Sequence, residues 1–274
     1  MTEENPICRW ARLMQLEDAE IDLGEAALLI ACMEYPHLDT AAELARLDRL
    51  ASGLAVSHAD PPLSNIQALN ELLFEKERFA GNSEDYDDPR NSFLNDVLDR
   101  KKGIPITLSL VYSEVARRHS LPVLGVGFPG HFLVKYLAES SEIIIDPYHR
   151  GAVMTLDDCE ERLKQHFGPQ AKLEPHFLAA STRKQILARM LNNLKGSYFR
   201  RQNFARILIL IEMSFAIDPA SPQEMRDRGM VYFAMKRYTE AMADFQAYLR
   251  LSTGDDPKVQ EVLQAIHRIR ALMN

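Results

Sequence analysis

"GIPITLSLVYSEVARRHSLPVLGVGFPGHFLVKY", residues 103 to 136, contains the change of period that decides the fold class. In its first half Ile104, Leu108, Val111 and Val115 recur at three- and four-residue spacing, which is one face of a helix. Pro105 suits the first turn of that helix, because its missing N–H would have no intrahelical partner there. In the second half, "PVLGVGF" (122 to 128) and "HFLVKYL" (131 to 137) are short β-rich runs separated by a Gly-Pro turn, and "EIIIDPY" (142 to 148) is a third. A helix followed by antiparallel strands makes an α+β core.

Upstream the pattern is helical. Ile21, Leu23, Ala26, Ala27, Ile30 and Met33 form one apolar stripe, and Leu38, Ala42, Leu44, Leu47, Leu50 and Leu54 form another that starts at Asp39-Thr40. Pro61-Pro62 precedes a third helix through Leu69, Leu72, Leu73 and Phe74. "GNSEDYDDPRN" (81 to 91) reads as a loop, and its Asp85, Asp87 and Asp88 lack the spacing of an EF-hand. "LDRKK" (98 to 102) reads as a solvated helix end, Asn91 and Asn95 as loop or capping residues, and Trp10 as a docking anchor or a lid over the core.

Downstream of residue 180 a repeat emerges. "LKGSYFRRQNFARILILIEMSFAIDP" (194 to 219) superimposes on "RDRGMVYFAMKRYTEAMADFQAYLRL" (226 to 251), with Gly196 on Gly229, Phe199 on Tyr232, Phe204 on Tyr238 and Ile211 on Phe245. The offset of 33 or 34 residues is the period of tetratricopeptide helix pairs. Each glycine is expected to let two helices approach, with the aromatics filling the space between them. The organisation expected is a helical region over 1–90, an α+β core over 91–180 and helical repeats over 181–274.

Composition narrows the function classes. The 274 residues are 46% hydrophobic, enough for a substantial core. A net charge of −7 argues against a nucleic-acid partner, since that affinity comes from neutralising phosphates. No apolar run approaches the roughly 18 residues of a membrane span, and the start "MTEENPICRWARLMQ" lacks a signal peptide's pattern, so a cytoplasmic protein is expected. Cys8, Cys32 and Cys159 are too scattered for a disulfide framework or a zinc site.

His131 opens one β run and Asp146 closes the next, so antiparallel pairing can bring imidazole and carboxylate together. Such a pair is the base and orienter of a nucleophilic triad, or simply a structural hydrogen bond. The block "PRNSFLNDVLDRKKGIPITLSLVYSEVARRHSLPVLGVGFPGHFLVKY", with "IIIDPYHRG" behind it, resembles the bacterial transglutaminase-like family of the SirB type, whose members carry tetratricopeptide repeats after that core. The resemblance runs from "LLIACMEYP" through the repeats and implies a papain-like helix-plus-sheet core. In active members a cysteine sits at the amino end of the core helix, a His starts one strand and an Asp precedes a Pro in the next. By that resemblance "GHFLV" supplies the histidine, His131, and "IDP" the aspartate, Asp146, while the nucleophile position falls on Pro105, which has no thiol.

Thr107 and Ser109, in the first turns of the same helix, are weak substitutes displaced from that position. Cys159 in "DDCEE" has carboxylates that oppose thiolate formation, and Cys32 lies in an apolar helix. His131, Asp146 and His149 lack a recognised metal-ligand spacing, so neither a metal nor another cofactor is expected. The reading is a non-catalytic transglutaminase-like interaction or regulatory module with a protein or peptide partner on its repeats, where Arg200, Arg201, Arg206, Arg226 and Arg228 are candidates to hold an acidic peptide. The alternative is a hydrolase or acyltransferase that uses His131 and Asp146 with a hydroxyl or water nucleophile.

Overall fold

Side-chain caps and apolar stripes set the first helices: α1 (Pro6–Leu13), α2 (Leu23–Cys32), α3 (Thr40–Ala51) and α4 (Pro62–Asn70). Asp22 and Asp39 accept hydrogen bonds from the amides of Glu25 and Ala42, which satisfies otherwise unpartnered N–H groups at the starts of α2 and α3. α4 runs into a π-helical turn, Glu71–Lys76, that buries Leu72, Leu73 and Phe74. Trp10 is buried, so it closes the core and is not free to anchor a partner. The chain is seen in a computed structural model that describes residues 5–57, 60–139, 141–252 and 256–273.

The acidic loop is tied down from within. Two short strands, β1 (Ala80–Gly81) and β2 (Lys102–Gly103), pair in parallel at its base. Asn91 donates from Nδ2 to the Asp85 carbonyl at 2.7 Å and accepts from Asn82 Nδ2 at 3.0 Å. Asp88 is paired with Arg90 and Arg100. α5 (Leu94–Arg100) ends at Lys101 in the left-handed conformation, φ 57°. The core helix α6 (Pro105–Arg118) is buried on more than the expected face, since Ile106, Leu110 and Tyr112 are also buried. The reason is its packing against α2, α3, α5 and the sheet together.

The sheet has the order β3 (Val123–Val126), β4 (Leu133–Leu137), β5 (Glu142–Asp146), β6 (Ala152–Met154), all antiparallel. The first three match the β-rich runs. β6 and the helix after it, α7 (Leu156–Phe167), go beyond the sequence reading. α7 is opened by a capping box in which the Thr155 hydroxyl accepts from the Asp158 amide while Asp158 Oδ2 accepts from the Thr155 amide.

Two compact units divide the chain, Met1–Met190 and Leu191–Asn274. α2 and α3 pack on α6, so the helices before residue 90 share a unit with the core, and the division falls within α8 (Arg183–Arg200). The second unit continues with α9 (Phe204–Ile217), α10 (Pro222–Ala234), α11 (Tyr238–Leu251) and α12 (Lys258–Met273). Phe245, Tyr248, Val262 and Ile269 form its buried cluster. Gly229 does admit a close neighbour: a Cβ there would lie 2.6 Å from the Phe245 ring. Gly196 does not, because a Cβ there would meet only its own helix's Arg200, 3.7 Å away. Phe199 is 62% exposed and fills no interhelical space, unlike its counterpart Tyr232, which packs against the cluster. Among the described residues no helix is long and apolar enough to cross a membrane.

Candidate functional site

The β4–β5 register sets Val134 opposite Ile145, which brings the chain entering β4 beside the end of β5. His131 Nε2 and Asp146 Oδ1 are 2.9 Å apart. Pro147 starts a tight turn, Pro147–His149, that folds the amides of Tyr148 and His149 back onto the Asp146 carboxylate at 3.1 and 3.4 Å. His149 Nδ1 reaches Asp146 Oδ2 at 2.7 Å, and Arg162 Nη1, from α7, lies 2.8 Å from the same oxygen. Asp146 is wholly buried beneath these donors. Arg189 fixes the turn before β4 by donating to the carbonyls of Phe128 and His131 at 2.9 and 2.5 Å. The Tyr148 ring stands edge-on to His131 at 5.8 Å and rests on Gly81, where a Cβ would come within 2.5 Å of it.

Burial opposes ionisation of Asp146, yet the hydrogen bonds from His131 and His149 and the charge of Arg162 outweigh it and hold the carboxyl down at about 2. His131 is pushed below its ordinary value by burial, against the pull of Asp146. A neutral His131 therefore carries its proton on Nε2, toward the carboxylate, and presents Nδ1 as an acceptor. That is the posture of an oriented general base.

Among the described residues no hydroxyl or thiol is bonded to the His131 ring. Pro105 is buried at the first position of α6. Thr107 Oγ1 donates to the Asn91 carbonyl at 2.7 Å and accepts from the Ile104 amide at 3.1 Å, so it holds the helix start. Ser109 Oγ points to the Phe132 carbonyl at 3.4 Å. Cys159 is fully buried, and burial first, with Asp158 and Asp146 adding less, raises its thiol to about 11. Its acidic neighbours are thus a smaller cause than the sequence suggested. Cys32 is also buried and raised by burial.

A pocket of about 320 Å³ opens beside the pair, walled by Gly130, His131, His149, Arg162, Gln165 and His166. The donor atoms of His131, Asp146 and His149 lie within 4.8 Å of one another, closer than their sequence spacing implied. Five donors already crowd the Asp146 oxygens, however, one of them a guanidinium, which leaves the carboxylate no lone pair to give a cation. Arg162 and His166 escaped the sequence reading. Their only local signal was the Thr155–Asp158 capping box that starts α7.

The repeat arginines do not gather into one cluster of free cations. Arg228 is held by Asp244 at 2.8 and 2.9 Å and by Glu212 at 2.7 Å, and lies over the Phe215 ring. Arg226 pairs with Asp227. Arg200 and Arg206 have partners of their own. Arg201 is exposed and, among the described residues, makes no ion pair.

A buried helix packed on a sheet that carries a His–Asp pair, followed by paired helices, defines a transglutaminase-like core with tetratricopeptide repeats. The family model of the transglutaminase-like superfamily matches residues 38–192, and a tetratricopeptide repeat model matches 194–274. A UPF0162 protein of Xylella fastidiosa is 32% identical over 264 residues, covering 92% of this chain and 91% of that one. A UPF0162 protein of Vibrio cholerae is 30% identical over 244 residues, 88% of each. The human F-box only protein 21 is 28% identical over 186 residues, 64% of this chain and 29% of that protein. The chain belongs to the transglutaminase-like superfamily and, within it, to the bacterial UPF0162 proteins, the SirB-type group its sequence resembles.

Proposed function

We propose that this is a non-catalytic transglutaminase-like protein that works as a protein-interaction or regulatory module, with His131 and Asp146 as a remnant pair. One observation carries the reading: α6, which packs on β4 and on the Pro147–His149 turn beside the oriented His–Asp pair, opens with Pro105, while Thr107, Ser109 and Cys159 are bonded or buried elsewhere. An imidazole base accelerates acyl transfer only when a nucleophile is within its reach. Repeats of stacked helix pairs commonly form binding surfaces, and exposed Arg201 is the repeat arginine best placed to take an acidic peptide or chain terminus. Three free thiols suit a reducing cytoplasm.

The test is incubation of the full chain with a glutamine peptide plus amine, and separately with an activated ester, followed by intact-mass and product analysis. The expected result is an unmodified protein and no product above background. An adduct on Thr107, Ser109 or Cys159, or turnover that disappears in His131→Ala, would establish the hydrolase or acyltransferase alternative.

A further inference from the structure

We infer that the pocket beside His131 and Asp146 receives the oxyanion end of a ligand, a carboxylate or phosphate group, on the Arg162 guanidinium. Among the described residues no carboxylate lines this pocket: its polar walls are three imidazoles, one amide and one guanidinium. Asp146 lies behind those walls, fully buried, with its charge already neutralised by donors. An incoming anion would therefore meet the Arg162 guanidinium and the Gln165 amide and no exposed negative charge.

Arg162 is suited to that task by how it is held. One nitrogen is 2.8 Å from Asp146 Oδ2, and the side chain is 27% exposed. A guanidinium carries five N–H donors in a rigid fork, and no other partner is seen for the remaining ones among the described residues. The buried carboxylate thus fixes the fork before a ligand arrives, which lowers the cost of binding. Gln165 and His166 stand three and four residues further along α7, on the same face. Gly130, at φ +69°, lets the chain pass close against His166 at the pocket's edge, since a Cβ there would come within 2.7 Å of its ring. At about 320 Å³ the pocket suits one small acid or a single acidic group.

The inference rests on His131 and Asp146 being a remnant pair, yet its test is separate from adduct formation, so either can fail alone. The 15N-labelled full chain is titrated with inorganic phosphate and, in a second arm, with succinate, at constant ionic strength, while amide shifts around Gly130 and Arg162 are followed. Saturation by phosphate alone or by succinate alone identifies which oxyanion the site takes. Arg162→Gln should bind roughly ten- to a hundred-fold more weakly, the scale of charge-assisted hydrogen bonds. Because Arg162→Gln also disturbs Asp146, His166→Ala is measured beside it, as it leaves the Asp146 donors intact and should weaken binding several-fold. Titration of both variants as tightly as the wild type overturns the inference. So does the absence of saturation by either anion, or saturation by cobalt(II) alone.

Discussion

Asp146→Ala lowers the stability of the first unit by about 3 kcal/mol, the scale for breaking a buried ion pair. For a unit of this size that is a fall of roughly 6 to 12 °C in melting temperature. The cost comes from what the carboxylate holds. His131 is largely buried and loses its partner, and the amides of Tyr148 and His149 lose theirs. Arg162 and His149 are 27% and 54% exposed and can turn to water, which keeps the loss from being larger. The pH dependence follows with its sign. The Asp146 carboxyl sits at about 2 when folded against 3.8 unfolded, so the unfolded chain takes up this proton first on acidification. The stabilisation of about 2 kcal/mol is present above pH 4 and lost as pH falls toward 2. His131, lowered by burial from 6.5, acts in the same direction at higher pH: the unfolded chain protonates first, and stability declines as pH falls below 6.5. Chemical denaturation as a function of pH should therefore show a weaker acid decline between pH 4 and 2 in Asp146→Ala. An unchanged slope would remove Asp146 as its source.

Gly229→Ala and Gly196→Ala, which occupy equivalent positions in the two repeats, have opposite effects. At Gly229 the added methyl would lie 2.6 Å from the Phe245 ring, and Phe245 is wholly buried in the centre of the second unit, so the ring and α11 must shift. Overpacking of this kind costs about 1 to 3 kcal/mol. At Gly196 the methyl has room, and exchanging glycine for alanine inside α8 gains about 0.5 to 1 kcal/mol through helix propensity. Thermal melts of the two variants against wild type should move apart. Equal shifts in the same direction would mean that the two glycines are packed alike.

That contrast marks how far local pattern reaches. The helix at 105–118 and the strands after it were legible because apolar spacing changes from three and four residues to short β runs, and Asp39 was legible as a cap because its side chain acts three residues away. That His131 and Asp146 could meet was legible because consecutive antiparallel strands are neighbours, whereas the contact itself came from the structure. α7 was not, since only Cys159 and Leu163 of its twelve residues are buried, too narrow a stripe to stand out within "LDDCEERLKQHF". Arg162 and His166 reach His131 only because α7 returns across the sheet, a long-range event with no local pattern. Gly196 misled because it shares its neighbour pattern with Gly229 while lacking a packed helix behind it.

The most direct test of a remnant pair with an unfilled nucleophile position is to fill it. Pro105→Cys in a Cys8→Ser background, with and without His131→Ala, is treated with iodoacetamide, and the alkylation rate at the new thiol is followed against pH. A thiol at the amino end of α6 facing an oriented imidazole should titrate well below the ordinary value of about 8.5, and His131→Ala should return it toward that value. An ordinary titration that His131→Ala leaves unchanged would contradict the account, because position 105 would then not face the pair.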